Sequence, residues 1–64
     1  MGTLQDKILH VLEDDGGWMS VRDISMSIGS NRTIVSMCLL RLRKFRIVEW
    51  EIGEYRGKMW RLTS

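Results

Sequence analysis

The run SVRDISMSIGSNRTIVS, from Ser20 to Ser36, decides how this chain folds. Ser20 is a residue type whose hydroxyl oxygen can accept a bond from a free N–H in the first turn of a helix. Asp23 stands three residues later, at the acidic position of a capping box. Val21, Ile24 and Ile28 share one helical face, so the spacing predicts a helix over about 21–28. Gly29 follows, where a tight turn needs a residue that tolerates positive φ. Asn31, or Ser30, can then cap another helix.

That next helix is predicted over about 32–45. On a helical wheel Val35, Cys38, Leu39 and Leu42 share the core side, with Phe45 at its edge and Ile34 on its border. Cys38 reads as a small buried residue. The opposite side presents Thr33, Met37, Leu40 and Lys44, flanked by Ser36 and Arg41.

Working outward toward the N-terminus, Leu4, Ile8, Val11 and Leu12 repeat at helical spacing. Thr3 and Asp6 form a variant capping box, and Asp14-Asp15-Gly16-Gly17 is a stop, so the first helix is expected over about 3–14. Leu9 lies off its stripe as a small apolar spot for self-association, and His10 is on the helix surface. Trp18 and Met19 form a short extended piece. Toward the C-terminus the period changes to two. Val48, Trp50 and Ile52 alternate with Glu49 and Glu51, and Lys58, Trp60 and Leu62 alternate with Met59 and Arg61. Between them lies Gly53-Glu54-Tyr55-Arg56-Gly57, which makes the pair a β-hairpin. Trp18, Trp50 and Trp60 are expected to pack together where the short strand meets the hairpin.

Sixty-four residues make one domain with a small core, and 44% hydrophobic content is normal for a globular chain. Such a core leaves little room for an enclosed substrate pocket of ~300 Å³ or more. No nucleophile–base pair, phosphate-cradling glycine loop or calcium-loop spacing is present, so neither an enzyme nor a small-molecule substrate is expected. One Cys and one His cannot make a four-ligand zinc site, and one Cys cannot make an internal disulfide. No metal or cofactor is therefore expected, and the cysteine count fits a reducing, cytoplasmic compartment. No apolar run approaches ~20 residues, and the first residues do not read as a secretory signal, so no membrane association is expected.

The net charge of +2 conceals an asymmetry. Residues 1–29 carry Lys7 and Arg22 against Asp6, Glu13, Asp14, Asp15 and Asp23, a net −3. Residues 30–64 carry eight basic residues against Glu49, Glu51 and Glu54, a net +5. A basic half points to a polyanionic partner.

The order helix, short strand, helix, tight turn, helix, hairpin resembles the winged helix-turn-helix domain of MarR- and ArsR-type transcriptional repressors. The resemblance rests on Ser20 through Ile24, Ile28 through Ser36, Leu39, Leu42, Ile47-Val48 and the closing Gly57-Lys58-Met59-Trp60-Arg61-Leu62-Thr63. It covers almost the whole chain. It implies an α+β fold of three helices with a short strand and a C-terminal β-hairpin wing. It also implies double-stranded DNA as partner, with the third helix in the major groove and the wing on backbone or minor groove. The chain stops just after the last wing strand, so the C-terminal dimerisation helix of many relatives is not expected; a homodimer or another protein partner stays open. ArsR-type metal sensing would need more thiol or imidazole ligands than Cys38 and His10 supply. Z-DNA-binding domains share the fold and carry a Trp where Trp60 stands. The Asn and Tyr of their motif align with Ser36 and Leu40, and their wing prolines are missing, so left-handed DNA is not implied.

The candidate DNA-binding residues follow from this placement. Asn31, Arg32, Thr33 and Ser36 occupy the first turns of the third helix, for base or phosphate contact. Arg41, Arg43, Lys44 and Arg46 cluster toward its end, with Arg41 and Lys44 the candidate phosphate contacts. Tyr55, Arg56 and Lys58 are assigned to the wing tip. Met37 and Leu40 stand where the resembling repressors usually carry polar residues. They can touch a thymine methyl, or their face can meet another protein. The rival reading is accordingly a winged-helix interaction module, an adaptor or a subunit of a larger assembly.

Overall fold

A computed structural model describes residues 3–63. The first helix, α1 (Leu4–Asp15), begins one residue later than expected because Thr3 stands outside it as the cap. The Thr3 hydroxyl oxygen accepts from the Asp6 N–H at 3.2 Å, and the Asp6 carboxylate accepts from the Thr3 N–H at 3.3 Å. The helix closes at Gly16, whose φ of 73° is open to glycine at no steric cost. A two-residue strand, β1 (Met19–Ser20), leads into α2 (Val21–Ile28). The Ser20 hydroxyl oxygen accepts from the Asp23 N–H at 3.0 Å, and Gly29 at φ 66° ends the helix. Asn31 caps α3 (Arg32–Lys44), and β2 (Val48–Ile52) and β3 (Lys58–Leu62) form the wing.

The end of α3 departs from the sequence reading. The helix stops at Lys44, Phe45 is its cap, and Arg46 takes a left-handed φ of 60°. The Ile47 N–H donates to the Leu42 carbonyl at 3.0 Å, and the Arg46 N–H donates to the Arg43 carbonyl at 2.9 Å. This pair of bonds is a Schellman motif, usually built on glycine. Phe45, expected at the edge of the core, is 66% exposed, because the chain turns away there and no element covers it. Ile34, expected on the core border, is likewise exposed; one step of about 100° from Val35 carries it off the stripe.

The sheet has strand order β1-β3-β2, antiparallel throughout, with Met19 and Trp50 both opposite Trp60. Ile8, Leu12, Met19, Ile24, Val35, Leu39, Leu42, Val48 and Trp60 form one core between helices and sheet. Cys38 is half-buried rather than buried, and Leu9 packs partly against this core rather than standing free of it. Burial pushes the Cys38 thiol pKa up, and Arg41 pulls it back in part. Trp60 Nε1–H is buried with no acceptor among the described residues.

The expected three-tryptophan cluster is a pair. Trp50 and Trp60 lie 6.4 Å apart between ring centroids, tilted at 43°. Trp18 precedes the inward-facing Met19 by one residue, and the period of two sends it to the other face of the sheet. There the Arg61 guanidinium sits 4.3 Å from its ring centroid while bonding Glu49.

Candidate nucleic-acid interface

The exposed side of α3 is built by the wheel that buries Val35, Leu39 and Leu42. Arg32 and Thr33 are exposed in its first turn, and Ser36 is half-buried. The Asn31 side-chain oxygen accepts from the Thr33 N–H at 2.7 Å, so this oxygen serves the cap and only the amide nitrogen is free to donate outward. Met37 is 66% exposed and Leu40 48%, which places both on the outward face as expected.

Arg41 and Lys44 are neighbours three residues apart on the helix surface, but they line different clefts. Arg41 lies in a groove against the start of α1, with Thr3, Leu4, Ile34, Met37 and Cys38. Lys44 lies in a cleft on the wing side, with Leu40, Arg43, Arg46, Glu49 and Trp50.

The wing separates its three candidates too. Tyr55 is 95% exposed at the tip. The Arg56 N–H donates to the Gly53 carbonyl at 3.0 Å, and the Gly53 N–H to the Gly57 carbonyl at 2.8 Å. The left-handed residue of this loop is Arg56, at φ 63°, and neither glycine. Gly53 is needed for a different reason: a Cβ there would meet Met59 Cγ at 2.8 Å. Lys58 is not at the tip. It opens β3 opposite Ile52, on the inner face with Trp60, and its Nζ lies 5.0 Å from the Trp50 ring centroid.

Arg43 reaches the same ring from the helix, with its guanidinium carbon 5.1 Å from the Trp50 centroid. Sequence reading placed Arg43 in the basic cluster but not among the site candidates. Its signal was present, since Arg43 stands three residues after Leu40 and seven after Ser36 on one helical face. Trp50 reads from the sequence as packing with the other tryptophans or as stacking on a sugar or base, and nothing local shows that its ring would receive two cations.

Among the described residues Arg61–Glu49 is the only ion pair, so Arg43, Lys44, Arg46, Arg56 and Lys58 have no carboxylate partner there. Among the same residues no group of His, Cys, Asp and Glu could hold a metal ion, and no helix is long and apolar enough to cross a membrane. Chemically, the surface offers unpaired cations along one side of α3 and its wing, and hydroxyls, an amide and apolar side chains on the helix itself.

No protein-family model matches the chain, and no curated protein matches it. Solved structures do. A MarR-family transcriptional regulator from Silicibacter pomeroyi superposes with a TM-score of 0.89 at 17% identity, over 98% of this chain and 42% of that one. A mutant of Lactococcus lactis ZitR gives 0.85 at 18% identity, over 100% of this chain and 44% of that one. MepR, a transcription regulator of the Staphylococcus aureus multidrug efflux pump MepA, gives 0.77 at 16% identity, over 95% and 45%. The chain thus has the winged helix-turn-helix fold expected from its sequence, and it spans less than half the length of the structures it matches.

Proposed function

We propose that this chain is the DNA-binding unit of a transcriptional regulator, with α3 in the major groove of duplex DNA and the wing on the adjacent backbone or minor groove. The observation that carries this reading is the unpaired charge. Arg43, Lys44 and Arg46 at the end of α3, and Arg56 and Lys58 on the wing, are solvent-exposed and have no acidic partner among the described residues. A duplex supplies the missing anions, and its major groove admits a helix. The capped first turn of α3 adds free N–H groups at the positive end of its dipole. In this arrangement Arg32 and Ser36 face base edges, and the C-terminal cations face phosphates. The winged-helix relatives described as transcription regulators support the same reading at the level of fold.

The test is binding to random duplex DNA across a salt series, with the bound pool sequenced. Contact with about four to six phosphates gives a log–log slope of about −4 to −5. A flat slope, or no binding at about 50 mM salt, removes the proposal. One observation favours the rival interaction module: Met37, Leu40 and Ile34 leave a broad apolar area exposed on α3. An apolar protein interface would respond little to salt, so the same series separates the two readings.

A further inference from the structure

Two cations from different elements converge on one aromatic ring. Arg43 comes from α3 and Lys58 from β3, and each places its charge about 5 Å from the centre of Trp50. The ring attracts each cation through its negative face. The cations repel each other, and no carboxylate relieves the repulsion. Glu49 is the one acid lining this cleft, and it is engaged by Arg61. Trp50 is itself held by contact with the buried Trp60, so the platform is fixed before any ligand arrives. Arg43, Lys44 and Arg46 line the cleft and Lys58 stands beside it on the Trp50 ring, so the site gathers uncompensated cations suited to an anion.

A separate observation points to the same place. Among the described residues the two non-glycine residues at positive φ are Arg46, which lines this cleft, and Arg56, at the wing tip. Glycine would take either backbone conformation at no steric cost. Arginine stands there instead, and in each case its exposed side chain has no hydrogen bond or ion pair among the described residues. The left-handed backbone is tolerated while the guanidinium is presented outward.

We infer that the cleft between the end of α3 and the base of the wing seats a backbone phosphate of duplex DNA. Arg43 holds it from the cleft wall that Lys44 and Arg46 share, and Lys58 adds its charge from the wing beside Trp50. The inference rests on the DNA-binding reading above and adds its anchoring point. Trp50 is a positioning residue: it makes no bond to the phosphate and fixes the spacing of the two groups that do. The strand that separates the major groove, entered by α3, from the groove met by the wing then crosses this cleft. The contact is blind to sequence, because a phosphate carries no base identity.

The experiment compares salt slopes for random-sequence duplex binding by the wild type, Arg43→Gln, Lys58→Gln and Lys7→Gln. Lys7 is exposed on α1, beside Asp6, His10 and Ile28, and its change removes the same charge away from the cleft. Arg43→Gln and Lys58→Gln are each expected to make the slope shallower by about 0.9, equally for every sequence in the pool. Lys7→Gln is expected to leave it unchanged. Circular dichroism checks that each variant keeps its helices. If the wild type shows a steep slope and both cleft variants keep it, the cleft is wrong while the DNA reading stands. If the wild type binds no duplex, both are wrong. A further arm follows the Trp50 indole N–H by NMR at constant ionic strength. A shift on adding duplex, absent with inorganic phosphate at the same phosphate concentration, supports a backbone seat. An equal shift with inorganic phosphate makes it a free-anion site and overturns the assignment.

Discussion

Replacing Arg46 by glycine is expected to stabilise the fold although it deletes a side chain. Arg46 holds φ 60° to close the Schellman motif at the end of α3. For a residue with a Cβ, that conformation costs roughly 1–2 kcal/mol. Glycine escapes the cost, but its greater freedom in the unfolded chain takes back about 0.4–1 kcal/mol. The net gain is about 0.5–1 kcal/mol. In a domain of this size each kcal/mol moves the melting temperature by roughly 4–8 °C. Arg46→Gly should therefore melt about 2–8 °C above the wild type, followed by circular dichroism at 222 nm. Arg46→Ala is the necessary companion. It removes the same charge and keeps the Cβ, so it should not share the gain. If Arg46→Gly melts at or below the wild type, the left-handed backbone is not a cost. If Arg46→Ala gains as much, the relief comes from thinning the positive charge of Arg43, Lys44 and Arg46, and the backbone argument is refuted.

Three further outcomes are expected. The double change Met37→Ser, Leu40→Gln should shift the melting temperature by no more than a few degrees, since both side chains are on the outward face and surface substitutions stay within about 0.5 kcal/mol. With DNA as the ligand, duplex affinity is kept. With a protein as the ligand, the two lost apolar anchors cost about 2 kcal/mol or more of partner affinity, read by calorimetry. Cys38 should react more slowly with a thiol reagent in the native than in the unfolded protein at the same pH, because burial disfavours its thiolate. A raised acid pKa leaves the folded state holding the proton that the unfolded state gives up. Stability should therefore fall as pH rises above the ordinary thiol range, and Cys38→Ser should remove that part of the loss.

The sequence alone determined the parts of this protein whose causes are local. Thr3 with Asp6, Ser20 with Asp23, and Asn31 mark helix starts because a cap needs a side chain within three residues of a free N–H. Gly16 and Gly29 mark helix ends because their backbone conformation favours glycine. The switch from a period of 3.6 to a period of two located the wing to the residue. Element order then sufficed for the fold, since these amphipathic pieces have few ways to bury one another. The tertiary structure decided what depends on neighbours remote in the chain. Composition could not say that Trp18 faces away from Trp50 and Trp60, because strand pairing sets which face of the sheet it joins. Wheel position could not say that Arg41 and Lys44 line different clefts, because α1 and the wing, lying on opposite sides of α3, divide its surface. The end of α3 carries no glycine, so its left-handed turn at Arg46 was not legible; it follows from the hydrogen bonds that turn the chain into β2. The meeting of Arg43 and Lys58 on Trp50 joins residues from a helix and two strands. The hairpin brings Trp50 and Lys58 together, but only packing lays the end of α3, and so Arg43, over that ring.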